Sequence, residues 1–218
     1  MKTLELFAGT GSFSRAAQKR GHEVFRVEHE PIEGYPVELE RDVMTLTWRD
    51  LPYQPKVLWA SPPCQGFSVA SIGRHWEKHP DGTVSPKHPT AELGIELLMH
   101  TMRLIDETEA EWWFIENPRG MMRKAFHQTA EKAALGPYTR RTVTYCQYGD
   151  TRMKPTDIWT NADWWEPKPP CKNGMPCHEA APRGSRTGTQ GIKEVHKRAM
   201  IPADLFTEIL RNRRIIVG

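Results

Sequence analysis

Three short segments of the chain carry residue types suited to covalent or acid–base chemistry. The first is S-P-P-C-Q-G-F-S, in which Cys64 follows two prolines and precedes Gly66. Proline fixes φ and restricts the residue before it, so this loop is stiff and directs a thiol to one place. A cysteine that only fills core volume needs no such loop. We interpret Cys64 as a candidate nucleophile, since a nearby helix end or cations can lower the pKa of a thiol.

The other two segments are F-I-E-N-P, which contains Glu116, and L-F-A-G-T-G, which contains Gly9 and Gly11. A carboxyl at the edge of an apolar site has a raised pKa and can donate a proton. The alternative for Glu116 is a strand-ending turn. Two glycines between a strand and a helix let the backbone approach a ligand; the alternative is a tight turn. Glu28 ends the next strand, where it is either a ribose ligand or a surface glutamate.

The elements that must position these residues alternate between strands and helices. Hydrophobic periodicity and capping signals predict strands over 3–7, 22–28, 57–60, 112–115, 142–147 and 157–160. They predict helices from an N-cap at Ser12, over 91–109, after Pro118, and over 203–211. Residues 65–90 are predicted to form a long mobile loop, and 163–195 to be loop-like.

This alternation predicts an α/β fold whose mostly parallel sheet has helices on both faces. Ligands of such folds bind at the carboxyl ends of the strands, where the glycines, Glu28, Cys64 and Glu116 fall. The chain has 218 residues, 38% of them hydrophobic and 26% charged, as in folded soluble domains. Its four cysteines do not suggest a disulfide framework, and the absence of a signal peptide or apolar span predicts a cytoplasmic protein without membrane contact.

The charge is unevenly distributed along the chain. Residues 1–110 hold 12 basic and 16 acidic residues, whereas 111–218 hold 18 and 11. Residues 167–198 alone hold 7 basic and 2 acidic residues. Such a segment indicates either a polyanionic partner such as nucleic acid or a solvated surface loop.

Taken in order, L-F-A-G-T-G, P-P-C-Q-G-F-S and E-N-P resemble the cytosine carbon-5 DNA methyltransferase family. The resemblance covers roughly residues 1–160 and the final helix. It implies the S-adenosylmethionine-dependent methyltransferase fold, which is Rossmann-like. It also implies methyl transfer from S-adenosylmethionine to carbon 5 of a flipped-out cytosine in double-stranded DNA, after the cysteine attacks carbon 6.

Carried over position by position, the resemblance makes Cys64 the nucleophile and Glu116 the acid that binds and protonates the cytosine ring. The implied cofactor-binding residues are Phe7, Gly9, Thr10, Gly11, Glu28, His29, Asp42, Val43 and Pro62. Gln65, Ser68 and Arg74 would contact DNA. The resemblance implies a catalytic core over 1–162, a reduced recognition insert over 163–197, and a terminal helix and strand over 198–218 that complete the core.

The sequence departs from the family pattern after Tyr148-Gly149. Arg152 and Lys154 fall near the positions where the family has Gln and Arg, so either could supply the cation beside the cytosine ring. Lysine cannot copy a bidentate arginine. In the short insert, Arg183, Arg186 and Lys193 are candidates for contacts with DNA phosphates.

Cys171, Cys177 and His178 are weak candidates for a metal site. The C-x₅-C-H spacing is not typical of zinc fingers, and the nearest fourth ligand in sequence is His196. Ordinary loop residues are the favoured interpretation, so the sequence predicts no metal.

The sequence therefore predicts a monomeric DNA (cytosine-5) methyltransferase of a bacterial host cell, with a compactness typical of phage enzymes. One alternative keeps the chemistry and changes the substrate to RNA. The other is a DNA-binding homologue whose altered Tyr-Gly segment has impaired catalysis. The intact Q-G-F-S after Pro-Pro-Cys favours DNA over RNA, and the presence of both Cys64 and Glu116 favours catalysis.

Overall fold

A computed structural model describes residues 1–172, 174–180, 192, 194–212 and 215. Seven of its strands form one sheet in the order β3-β2-β1-β4-β7-β9-β8. They are β1 (Lys2–Leu6), β2 (Glu23–Glu28), β3 (Leu39–Glu40), β4 (Val57–Ala60), β7 (Trp112–Pro118), β8 (Thr139–Thr144) and β9 (Pro155–Thr160). β9 runs antiparallel to β7 and β8, whereas the pairs from β3 to β7 are parallel. The predicted mostly parallel α/β sheet is confirmed.

Helices cover both faces of the sheet. α3 (Pro89–Thr108) and α4 (Met122–Lys132) pack on one face, and α1 (Ser12–Gln18) and α6 (Ala203–Leu210) pack on the other. Successive side chains of a strand point to opposite faces of the sheet. In β4, Leu58 packs in the core beneath α3 and α4, whereas Trp59 packs in the core beneath α1 and α6. Phe206 of α6 meets the Trp59 ring edge-on at 4.8 Å. Burying each such side chain contributes about 1.5–3 kcal/mol.

The prediction of a long mobile loop over 65–90 is wrong. This segment contains 3₁₀ turns at Gln65–Phe67 and Val69–Ser71, a short α2 (Ile72–His75), and a hairpin of β5 (Trp76–Lys78) and β6 (Val84–Pro86). Phe67 and Trp76 are buried and stack with their ring centroids 5.8 Å apart. Two aromatic anchors within a polar, glycine-rich run carry no periodic signal, so the periodicity analysis missed them.

Three element boundaries also differ from the predictions. The strand expected to stop before Glu116 continues through Pro118, because β9 pairs with it along that stretch. The strand expected over 142–147 lies earlier, and Tyr145–Tyr148 is a 3₁₀ turn. Ser12 is the first residue of α1 and Gly11 is its N-cap.

Residues 163–172 and 174–180 of the insert contain no helix or strand. α5 (Val195–Ala199) and α6 then lead back to the core. The predicted terminal strand would fall on 213–218, of which only Ile215 is described, in a helical conformation. Among the described residues, no helix combines the length and the apolar character needed to cross a membrane.

Candidate active site

A cavity of about 760 Å³ opens where β1, β4 and β7 end. Residues from all three of the segments identified in the sequence line it. Of the predicted site residues, it is lined by Phe7, Gly9, Thr10, Glu28, Pro62, Cys64, Gln65, Ser68, Glu116 and Lys154. The topology brings them together because the carboxyl ends of neighbouring parallel strands meet at one edge of a sheet.

The loop that carries Cys64 is held by its neighbours. The Asn117 side-chain amide donates a hydrogen bond to the Pro62 carbonyl at 2.9 Å. The Trp76 indole N–H donates to the Gly66 carbonyl at 2.7 Å. A Cβ on Gly66 would lie 2.6 Å from the Thr90 carbonyl oxygen, so only glycine lets the loop pack this closely on α3.

Cys64 is exposed to the cavity, yet the loops around it remove enough water to raise the pKa of its thiol. Glu116 raises this pKa further, whereas the positive charges of Lys154 and Arg198 lower it. In the protein without substrate, desolvation and the nearby carboxylate therefore outweigh the lowering of the pKa that cations can give.

Glu116 is buried at the end of β7, and Tyr145 donates its hydroxyl to Oε1 at 3.0 Å. Burial raises the pKa of this carboxyl, against the opposing effects of Lys154, Tyr145 and Ser61. The predicted direction of the shift is confirmed, and it favours the protonated acid at a higher pH than for a solvated glutamate. Sequence reasoning missed Tyr145 because the turn that carries it was taken as a strand.

Lys154 lies just before β9 and lines the cavity. Its backbone φ is 23°, a value that residues other than glycine seldom adopt. Its ammonium donates to the Arg198 carbonyl at 2.9 Å and lies 4.9 Å from the centroid of the Tyr145 ring. Burial lowers the pKa of Lys154, and the charge of Glu116 opposes that effect. A non-glycine residue held in this region of φ is typical of a functional site.

Arg152, the other candidate cation, does not line the cavity. Its guanidinium is ion-paired with Asp150. It also donates to the carbonyls of Lys197 (3.0 Å), Arg198 (2.9 Å) and Met200 (2.9 Å). Arg152 therefore holds the segment before α6 in place, with its donors engaged by protein groups.

The glycine loop after β1 is bound to the end of β2. Phe7 and Gly9 both have left-handed φ values, 55° and 48°. The Gly9 amide donates to Glu28 Oε2 at 2.8 Å, and the His29 amide donates to Oε1 at 2.8 Å. Oε1 also accepts from the Glu30 amide at 3.4 Å, whereas Oε2 has only the Gly9 amide, so Oε2 can accept a further hydrogen bond from a ligand.

The N-terminus of α1 is engaged by a residue that the sequence analysis did not consider. Glu5 of β1 accepts hydrogen bonds from the Phe13 and Ser14 amides at 3.1 and 2.9 Å. Burial raises the pKa of Glu5 to about 7, although these hydrogen bonds act in the opposite direction. Glu5 therefore occupies these two amides, which are not free to hold an anionic ligand group. A glutamate inside the apolar strand L-E-L-F was the signal that could have revealed it.

Several predicted residues lie away from the cavity lining. Asp42 accepts from the Met44 amide at 2.9 Å and caps a 3₁₀ turn that begins with buried Val43. Gly11, His29 and Arg74 are also absent from the lining. Cys171, Cys177 and His178 lie beside Cys146, outside the cavity. Arg183, Arg186 and Lys193 fall outside the described residues.

Residues 1–135 match the family of C-5 cytosine-specific DNA methylases. The chain belongs to this family. The matched range includes the glycine loop, Cys64 and Glu116, which together line the cavity. The resemblance seen in the sequence is thus confirmed, and it identifies an enzyme of the cytosine-5 methyltransferase type.

A relative from Frog virus 3 (isolate Goorha), named "Probable DNA (cytosine-5)-methyltransferase", is 28% identical over 96% of this chain and 99% of its own length. Two solved structures share the fold. One is a "putative DNA modification methyltransferase encoded within prophage" from E. coli, 20% identical with a TM-score of 0.53 over 73% of this chain. The other is Spodoptera frugiperda DNMT2, 16% identical with a TM-score of 0.50 over 75%. The chain spans about half of each, 46% and 51%.

Proposed function

We propose that this chain transfers a methyl group from S-adenosylmethionine to carbon 5 of cytosine in double-stranded DNA, through a covalent adduct with Cys64. One observation carries the proposal. Cys64, Glu116 and Lys154 line the same cavity as Gly9 and Glu28. A thiol, a protonatable carboxyl and a cation thus share one space with a loop suited to a nucleoside-like ligand.

The residues at the β1–β2 end of the cavity fit S-adenosylmethionine. Gly9 has no side chain, so the backbone of this left-handed turn can approach a ligand in the cavity directly. Glu28 is placed to accept hydrogen bonds from ribose hydroxyls. Thr10 and Pro62 line the same end, and Gly11, His29, Asp42 and Val43 would support it from outside the lining. When bound, this cofactor supplies an electrophilic methyl group.

At the other end, Cys64 and Glu116 would act on the cytosine ring together. The Cys64 thiolate attacks carbon 6 and forms a C–S bond, while the electron pair of the 5,6 double bond moves toward carbon 5. Glu116 supports this movement by holding a proton at N3, which its raised pKa favours. Once carbon 5 carries the methyl group, a base such as water would take the carbon-5 proton. The electron pair of that C–H bond restores the 5,6 double bond, and the C–S bond breaks to release the Cys64 thiolate.

Lys154 is the cation that we assign to the cytosine edge. It faces the cavity beside Glu116, whereas Arg152 is committed to Asp150 and the backbone before α6. An ammonium can donate one hydrogen bond to a ring oxygen as a point charge, without the two-pronged geometry of an arginine. Tyr145 would orient Glu116 through its hydroxyl.

The substrate would approach from the open side of the cavity. Gln65 and Ser68 line its rim, and Arg74 is exposed on α2. A cytosine must leave the base stack to reach Cys64, which is how enzymes that modify bases gain access to them. The basic insert over 163–197, with Arg183, Arg186 and Lys193, would supply contacts to phosphates beside a catalytic core over 1–162, completed by residues 198–218.

The test is methylation in a host that lacks its own cytosine methylation. DNA and RNA from cells that express the native chain or Cys64→Ala would be digested to nucleosides, and 5-methylcytosine measured by mass spectrometry. We expect it in DNA with the native chain and its absence with Cys64→Ala. Equal protein levels and melting temperatures of the two variants are the control.

The other outcomes distinguish the alternatives. 5-Methylcytosine in RNA alone would replace the DNA substrate with RNA. Methylated DNA with Cys64→Ala would exclude the covalent mechanism. Unmodified nucleic acid with a folded native chain that retains DNA binding would favour a binding protein.

A further inference from the structure

Four potential metal ligands converge outside the cavity. Sγ of Cys146, Cys171 and Cys177 and a ring nitrogen of His178 all lie within 4.8 Å of one another. Cys146 lies in the 3₁₀ turn after β8, whereas the other three belong to the insert. The fold therefore supplies the fourth ligand that the sequence spacing did not reveal, and His196 is not part of the cluster.

The distances suit a shared ion better than a disulfide. Cys177 Sγ lies 3.7 Å from Cys146 Sγ and 3.8 Å from His178 Nδ1. Ligands about 2.3 Å from a tetrahedral zinc ion are separated by roughly 3.8 Å. Cys171 Sγ is closer to its neighbours, 3.1 Å from Cys177 Sγ and 3.4 Å from His178 Nδ1. Even the shorter sulfur–sulfur distance is far from the roughly 2.05 Å of a disulfide.

We propose that Cys146, Cys171, Cys177 and His178 bind one Zn²⁺ ion in a closed structural site. Three thiolates and one imidazole form a ligand set that selects zinc among common divalent ions, because Mg²⁺ and Ca²⁺ prefer oxygen. Four protein ligands leave no open position for a reacting water, so the ion's role is to hold the chain.

Contacts around the cluster fit this role. The Gln147 side-chain amide donates to Cys177 Sγ at 3.4 Å, as outer hydrogen bonds do at thiolate metal sites. The Cys171 amide donates to Thr144 Oγ1 at 2.8 Å. The Lys168 amide donates to the Tyr148 hydroxyl at 2.9 Å. These bonds already lay the insert against the 3₁₀ turn that carries Cys146.

A metal would compensate for the lack of a core in this part of the chain. None of the described residues between 166 and 180 is buried, and so short a segment has too little apolar surface to order itself. Zinc binding free energy acts as folding free energy where the ligands are not ordered beforehand. The ion would thus fix the insert beside Tyr145, the residue that contacts Glu116.

The experiment is metal analysis of the full chain, purified without chelators from zinc-supplemented cells. We expect about one equivalent of zinc in the native protein, and less than about a tenth of that in Cys146→Ser and Cys177→Ser. His196→Ala and Cys64→Ser are the matched controls, because each removes a histidine or a cysteine outside the cluster. Both should retain the zinc of the native protein.

A second measurement needs no variant. Native protein stripped with a chelator and reloaded with Co²⁺ should show the strong visible absorption of a tetrahedral thiolate site. Zinc should displace it. Iron instead of zinc, a Cys171–Cys177 disulfide detected by mass spectrometry in protein purified under reducing conditions, or zinc that remains in Cys177→Ser would each overturn the proposal.

Discussion

The loop around Cys64 and the insert are held in place by opposite means. The loop around Cys64 rests on the core: Phe67 and Trp76 are buried, and Gly66 packs against α3 at a distance only glycine permits. In residues 163–172 and 174–180 of the insert, only Trp165 is buried, and hydrogen bonds and the cysteine–histidine cluster make the attachment. The difference fits the proposed roles, because groups that must meet a reacting atom need fixed positions, whereas a segment proposed to contact DNA phosphates does not.

The largest expected effect comes from Glu116, the proposed acid beside Cys64. Glu116→Gln should lower single-turnover methyl transfer by about 10²–10⁴-fold, the usual contribution of a positioned proton donor. The same change removes the negative charge that raises the pKa of Cys64, so iodoacetamide should alkylate Cys64 faster at pH 7.5. Peptide mass spectrometry separates Cys64 from the other three cysteines. Slower alkylation would contradict the proposed coupling of the two groups.

The next largest effect is expected on the stability of the loop around Cys64. Gly66→Ala should destabilise the protein by about 1–3 kcal/mol, since its Cβ would overlap the Thr90 carbonyl and force the loop from α3. Gly73→Ala, in α2 with open space around it, is the matched control and should be neutral or slightly stabilising. Urea unfolding measures both. Equal stabilities would show that the loop does not depend on this contact.

A smaller effect is expected from the cation. The charge of Lys154 lowers the pKa of Cys64, so Lys154→Met should raise that pKa and slow Cys64 alkylation at pH 7.5 by roughly two- to tenfold. Lys87→Met removes an exposed lysine outside the cavity lining and should have no effect.

In the native protein the alkylation rate should keep rising with pH beyond the ordinary thiol pKa of 9.0, because the pKa of Cys64 is raised above it. A plateau below pH 8 would contradict this.

The smallest effect on the core should come from removing the insert's attachment. Chelation should make residues 163–180 several-fold more sensitive to protease, while the melting temperature of the core changes by less than about 2 °C. Cleavage sites are read by mass spectrometry. Loss of the whole fold on chelation would show that the insert and core do not differ as argued.

The sequence revealed the residues at the strand ends more fully than the residues that hold them in position. The strand–glycine loop–helix pattern, Cys64 and Glu116 fall at strand ends, where topology alone brings them together. Tyr145 and Cys146 were missed because their partners, Glu116 and the cysteines of the insert, are distant in sequence. Glu5 was missed although the amides that it binds lie only eight and nine positions away. The sequence also left open which of Arg152 and Lys154 faces the cavity. Their spacing does not show that Asp150 and three carbonyls engage the arginine.

The packing of α6 on α1 has a consequence for how the chain is made. The Ile201 amide donates to Ser12 Oγ at 3.3 Å, which joins residues 189 positions apart, and Phe206 meets Phe13 edge-on. During synthesis, the first strand and helix leave the ribosome long before their partner exists. That face of the sheet therefore lacks one of its two helices until residues 203–210 emerge, and closure over a long sequence separation is slow. Nascent chains stalled before residue 200 should bind chaperones. Nascent chains long enough to place residue 210 outside the ribosomal exit tunnel should release them.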